Sequence, residues 1–259
     1  MGSKNHRGLI CGASMGIGRA AAMALARRGH ALTVLSRREA VLSELARQLE
    51  REGASAVEVL VADLDDRESL EAKLREHLGQ HGPIHILLNN TGGPPMGPIL
   101  DAGPEDFLRA FARHVLASHL LLQICLPGMR AEGFGRVINV ISTSVYEPIP
   151  QLGVSNTTRA AMAGWAKSVS RELPAGVTIN NVLPGYTDTE RLAELKTALA
   201  RSRGVGEEEI EREWLAQIPE GRLAQPSELG ELIAYLASPE AAYLRGQSIA
   251  IDGGRMRSI

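Results

Sequence analysis

Short unbroken apolar runs alternate along this chain with longer stretches whose apolar residues recur at helical spacing. Gly8 to Cys11 is such a run, and Ala31 to Leu35, Ala56 to Val61, Ile84 to Leu88, Arg136 to Ile141 and Val177 to Leu183 repeat it. Their apolar residues are consecutive rather than alternating, as in strands covered on both faces. Between the first runs, Gly16 to Arg28 is Ala-rich and closed by Gly29, and Arg38 to Glu52 sets Leu42, Leu45 and Leu49 on one helical face. Strands and helices in alternation predict an α/β fold: a doubly wound parallel sheet with helices on both faces. No composition shift marks a second domain, so residues 1–259 read as one domain. Residues 188–226 leave the rhythm. They are charged, hold two helical patches (Glu190 to Arg201 and Glu207 to Gln217), and precede a final helix–strand pair. An insertion after a strand's C-terminal end overlies the crevice of an open α/β sheet. It reads as a small helical substrate lid, with a surface excursion as the alternative.

Composition narrows this picture. Apolar residues make up 44% and aromatics only 3%, so the core is aliphatic. Lys plus Arg is 28 and Asp plus Glu is 30, a net charge of -2, which suggests no nucleic-acid surface. Cys11 and Cys125 each lie in an apolar stretch and read as buried thiols, which fit a cytoplasmic protein. The polar start MGSKNHRG is no signal peptide, and His6 breaks the myristoylation pattern that begins at Gly2. The apolar run Val115 to Leu126, interrupted by His119 and Gln123 and ended by Pro127, is too short to span a bilayer. No membrane partner is expected.

The chemistry begins after the first strand, where Gly12, Ser14, Met15, Gly16, Ile17 and Gly18 open a helix. Glycines there permit a tight turn and let the backbone approach a pyrophosphate, which meets the free N–H groups of the helix start. The Gly-x-x-x-Gly-x-Gly spacing resembles the short-chain dehydrogenase/reductase family, with Cys11 at that family's Thr position. Further residues carry the resemblance through nearly the whole chain: Asp63-Leu64, Asn89-Asn90-Thr91-Gly92, Ser142, Pro184-Gly185-Tyr186-Thr187-Asp188-Thr189, Ile218 to Arg222, and Ile251 to Gly254. It implies a single-domain Rossmann-like dinucleotide-binding and catalytic domain. It implies an adenine contact at Asp63 and Leu64. Asn90, Thr91 and Gly92 are implied to contact the cofactor from the end of the fourth strand, and Pro184, Gly185, Thr187 and Thr189 belong to the segment that lies along the nicotinamide. Cofactor choice follows from charge. NAD-preferring relatives hold the ribose with a carboxylate after the second strand, where this chain has Ser36-Arg37-Arg38. Arginine binds a 2′-phosphate bidentately, so NADP is expected, with NAD possible. The competing role for Arg37 and Arg38 is to face solvent at a helix start.

The family's catalytic set is Asn, Ser, Tyr and Lys, and an ungapped alignment retains only Ser142. Ser155 falls at the Tyr, Arg159 at the Lys and His114 at the Asn. Arg159 keeps a positive charge one turn from Ser155, able to hold ribose hydroxyls and a developing oxyanion but not to relay protons as Lys does. Ser155 either holds a water where the phenol would be or fills a helix position. His114 reads either as a structural histidine or as a group titrating near neutral pH that feeds protons to the space beside Ser155. Tyr146 and Tyr186 read as pocket wall or as alternative donors. The expected activity is an NADP(H)-dependent oxidoreductase interconverting a small-molecule carbonyl and alcohol. The alternatives are a cofactor-binding regulator or redox sensor, and a non-redox enzyme on the same scaffold. The resemblance also implies a homotetramer, with a dimer as the alternative, packed through the helix before Pro127 and the helix of Arg159.

Overall fold

The computed structural model describes residues 6–258, so the readings that rest on Gly2 lie outside the described residues. Seven parallel strands form one sheet in the order β3-β2-β1-β4-β5-β6-β7. They are β1 (Arg7–Cys11), β2 (Ala31–Ser36), β3 (Ala56–Val61), β4 (Ile86–Asn89), β5 (Gly135–Val140), β6 (Val177–Pro184) and β7 (Ser248–Ile251). The order reverses between β1 and β4, and such a switch point opens a crevice beyond the carboxyl ends of the strands. The expected α/β fold and every expected strand are present, although β4 starts at Ile86 rather than Ile84.

Two aliphatic cores cover the sheet. One packs Leu25, Leu42, Leu45 and Ile233 from α1 (Gly16–Ala26), α2 (Glu39–Glu52) and α9 (Pro226–Leu236) against Ile10, Val34 and Leu88. The other packs Leu70, Leu74, Leu121 and Ala166 from α3 (Arg67–His81), α5 (Ala117–Glu132) and α6 (Gly153–Glu172) against Leu9, Leu87 and Val137. Cys11 and Cys125 are both buried free thiols, as expected. Four strands are also tied through their side chains. Asn89 donates to Asn139 (2.8 Å), Asn139 to Asn181 (2.8 Å), and Asn181 to Ser248 (3.0 Å). Asn89, Asn139 and Asn181 are buried, where each polar group left unpaired costs about 1–3 kcal/mol.

Helix α4 (Pro104–Phe111) runs into α5 through one π turn, Ala112–Leu116. The whole stretch, Pro104–Glu132, is longer than the apolar run seen in sequence, because the helix continues through Pro127. Among the described residues it is the one helix long and apolar enough, by length and composition, to cross a membrane. Half of that window is buried, and α5 packs on α3, β4 and β5 as a core helix. The charged insertion forms α7 (Glu190–Arg203) and α8 (Glu207–Leu215). These share a small core of Ala200, Ile210 and Trp214, against which Tyr186 and Leu192 pack.

Candidate active site

The turn after β1 is shaped by what its glycines exclude. A Cβ on Gly18 would stand 2.3 Å from the Gly12 carbonyl oxygen, and one on Gly12 would stand 2.7 Å from the Asn90 carbonyl oxygen. Gly12 also adopts a φ of +62°, which favours glycine. The Asn90 amide donates to the carbonyls of Cys11 (3.3 Å) and Gly12 (3.4 Å), stitching the end of β4 to this turn. Met15 precedes α1 in extended backbone, and no side chain caps the helix. The first-turn N–H groups of α1 are therefore open to an anion. Thr189 lies over this loop, its methyl 3.3 Å from where a Gly16 Cβ would be.

The end of β2 presents cations. Arg38 donates to the Ser14 hydroxyl at 2.9 Å, and the Arg38 N–H donates to Ser36 at 3.1 Å. Arg37 lies 3.6 Å from Asp63 with its side chain largely exposed. The two arginines thus bracket the glycine loop and Asp63. Leu64 packs onto the apolar core beside Ala62. The Cys11 thiol, at the family's Thr position, is pushed up to about 12 by burial.

At the other end, Ser155 and Arg159 both face Gly93. A Cβ there would lie 3.8 Å from the Ser155 hydroxyl and 3.7 Å from an Arg159 nitrogen. Gly153 starts α6 against Ile99, since a Cβ would sit 2.4 Å from that side chain. Gln151, just before it, holds a φ of 63°, and strain of this kind collects at functional sites. Arg159 is only 9% exposed. It donates to the carbonyl oxygens of Val140 (2.9 Å) and Thr91 (3.5 Å), at the ends of β5 and β4. No carboxylate pairs with it among the described residues. Burial, reinforced by Arg191, lowers its pKa to about 10, so it stays cationic at neutral pH.

His114 sits in the π turn and is 2% exposed. Its Nδ1 is hydrogen-bonded to the Thr91 hydroxyl, and its Nε2 is buried with no protein partner. Burial, then the charges of Arg159 and Arg113, hold its pKa down to about 2. Of the two sequence readings this favours the one in which the imidazole does not titrate near neutral pH: burial first, and then the neighbouring cations, keep it uncharged there. Ser142 accepts the Ser144 N–H at 3.0 Å, which leaves its own proton to be given elsewhere. Tyr146 is half exposed. Tyr186 is stacked on Trp214 at 5.0 Å, with the Arg255 guanidinium 4.9 Å from its ring. Arg191 and Arg255 were not singled out in sequence; their only signal there is position, directly after the 184–189 segment and after Gly253-Gly254.

A family model described as enoyl-(acyl carrier protein) reductase matches residues 12–255. The chain belongs to the short-chain dehydrogenase/reductase family. It is 33% identical over 253 residues to 2-keto-3-deoxy-L-fuconate dehydrogenase of Xanthomonas campestris, covering 97% of this chain and 80% of that relative. It is 31% identical over 249 residues to 3-oxoacyl-[acyl-carrier-protein] reductase of Vibrio cholerae, covering 95% of each. The solved structure of an NADPH-dependent reductase involved in bacilysin biosynthesis superposes with a TM-score of 0.92 at 28% identity, covering 99% of this chain and 100% of that one. L-Sorbose reductase of Gluconobacter frateurii, complexed with NADPH and L-sorbose, gives 0.92 at 27% identity and 98% coverage of both chains. The family resemblance read from the sequence is thereby established, and the chain is an enzyme of that family.

Proposed function

We propose that this protein is an NADP(H)-dependent oxidoreductase that interconverts a carbonyl and an alcohol, with a proton path that uses Ser155 and Arg159 where its family uses Tyr and Lys. The observation that carries the reading is Arg159: a buried guanidinium without a carboxylate, placed with Ser155 against Gly93. A charge left unpaired in the interior is costly, and sites that receive a polar ligand retain it.

The residues present fit the cofactor. The uncapped first turn of α1 and the glycine cradle suit a pyrophosphate. Ser14, Ser36, Arg37 and Arg38 suit a 2′-phosphate, and the NADPH-bound relatives support that choice. When bound, NADP(H) supplies or accepts the hydride. Arg159 offers its charge to ribose hydroxyls and to the oxyanion that develops on the carbonyl. Ser142 donates its proton to that oxygen as a hydrogen bond. Reduction consumes one proton per turnover. Ser155 holds a water in the space a phenol would fill; that water gives its proton to the substrate oxygen and takes one from the Nε2–H of neutral His114, whose Nδ1 takes the Thr91 hydroxyl proton, which solvent replaces. Residues 188–226 close over the substrate, with Tyr186 and Trp214 as the inner wall.

The apolar groove between α4 and α6, with Leu108 60% and Phe111 41% exposed, is the face through which copies of the chain assemble, as a tetramer or a dimer. Light scattering on Leu108→Glu, expected to give smaller species, tests this. The buried reduced thiols fit a cytoplasmic setting.

The test of function is NADPH oxidation against a broad carbonyl panel. Turnover that falls about tenfold or more in His114→Ala and less in Ser155→Ala supports the relay. Tight NADPH binding without turnover on any carbonyl favours a cofactor-binding regulator instead, a reading favoured by the lack of an acid near neutral pKa among Ser142, Ser155 and Thr91. Failure to bind NADPH overturns both.

A further inference from the structure

Three arginines meet the loops that follow β4, β5 and β6. Arg159 and Arg191 flank one short segment: Arg159 stands by Gly93, and Arg191 donates to the Pro94 carbonyl at 3.0 Å. They are close enough for Arg191 to depress the Arg159 pKa. Across the crevice, Arg255 donates to the Thr143 hydroxyl at 3.2 Å and lies over the Tyr186 ring. Its Nε is buried with no hydrogen-bond partner among the described residues.

The nearby acids are already engaged. Glu147 accepts the N–H groups of Arg257 (2.7 Å) and Ser258 (2.9 Å), and its charge is also felt by Arg255 from outside hydrogen-bond reach. Asp252 accepts those of Gly254 (3.1 Å) and Met256 (2.8 Å). Glu194 meets Arg191 at 3.4 Å through an exposed contact, the kind worth little. Overall basicity does not explain the cluster, because the chain's net charge is -2. It is also separate from Arg37 and Arg38, which face the other end of the crevice.

We propose that the substrate is an anionic carbonyl compound whose carboxylate is held between Arg191 and Arg255, the latter steadied by the buried Thr143 hydroxyl. This rests on the oxidoreductase reading and names its substrate class. An arriving carboxylate satisfies the orphaned Arg255 nitrogen, screens the Arg159–Arg191 repulsion, and leaves the carbonyl carbon toward Ser142. Guanidinium–carboxylate pairing is the strong, geometrically specific form of such recognition.

The experiment compares acid and methyl ester of the same carbonyl compound: acetoacetate with methyl acetoacetate, and levulinate with methyl levulinate. The NADP-loaded protein is titrated with each, using the fluorescence of Trp214, which stacks on Tyr186. The same pairs are assayed as substrates with NADPH. The acids are expected to bind about tenfold or more tightly than their esters. In Arg191→Gln and in Arg255→Gln that ratio is expected to fall toward one, and in Arg191→Lys and Arg255→Lys to recover in part. Esters that bind as well as acids, or a ratio unchanged by both Gln variants, overturns the proposal. Acid preference in the titration with no turnover on any carbonyl upholds the anion subsite while overturning the oxidoreductase reading. Turnover confined to neutral carbonyls does the reverse.

Discussion

At the β1–β3 end of the crevice, geometry is set by backbone: glycines that admit no Cβ, an uncapped helix start, and Asn90 bonded to two carbonyls. At the β4–β6 end, geometry is set by side chains: Arg159 threaded to Val140 and Thr91, His114 leaning on the Thr91 hydroxyl, and Ser155 facing Gly93 across a small gap. A backbone cradle tolerates almost no substitution at glycines such as Gly12 and Gly18. A side-chain constellation can be exchanged as a group, provided that buried charge and hydrogen bonds stay consistent. Under the proposed function, Thr91, His114, Ser155 and Arg159 act as such a group.

The largest effect that tests this contrast is a methyl at each end. Gly18→Ala places carbon against the Gly12 carbonyl, so NADPH binding is expected to be lost and the melting temperature to fall. Gly93→Ala meets only ordinary contacts of 3.7 and 3.8 Å, so NADPH affinity is expected to change by less than about threefold. Equal losses in a fluorescence titration would break the contrast.

Next comes Arg159→Met, which removes the buried cation while filling similar space. Turnover is expected to fall about a hundredfold, roughly the loss of one charge-stabilising donor, with Arg159→Lys recovering part of it. Steady-state kinetics check this, and an unchanged kcat would remove Arg159 from the site.

The cofactor preference is a smaller effect. Arg37→Asp sets a carboxylate where a 2′-phosphate is expected, so NADPH affinity is expected to drop about thirtyfold and NADH affinity to change little. Parallel losses for both nucleotides would mean that Arg37 and Arg38 serve only the solvated start of α2.

The smallest is a stability effect of His114. Its folded pKa of about 2 lies below the unfolded value of 6.5. The unfolded chain therefore binds the extra proton first, and the stability is full above pH 6.5 and lost as pH falls toward 2. The share lost by pH 5.5 is about 1.4 kcal/mol. His114→Asn is expected to flatten the pH dependence of chemical unfolding between 7 and 5.5 by about 1.3 kcal/mol. His6 and His77, also lowered to about 4 by burial, retain theirs in the variant.

The sequence made the fold legible because consecutive apolar strands and Ala- or Leu-patterned helices agree with the sheet at every step. The glycine loop was legible because its spacing carries its geometry. The catalytic end was legible only as a set of positions. That His114 is neutral follows from its burial beside Arg159, a contact across 45 residues of sequence (159 − 114) that periodicity does not report. Arg191 and Arg255 were missed for the same reason: single basic residues in charged or loop segments look like solvated surface until the fold turns them toward Pro94 and Thr143. The π turn at Ala112–Leu116 was equally invisible, because its residues read as ordinary helix.

The central claim is that hydride chemistry here proceeds without a protein acid that titrates near neutrality. The direct measurement is the pH dependence of kcat/KM for NADPH oxidation with the best carbonyl substrate, in wild type and in His114→Asn. The account predicts no step between pH 6 and 8 in the wild type, and none gained or lost in the variant. An inflection near pH 6.5 in the wild type that disappears in His114→Asn would contradict it.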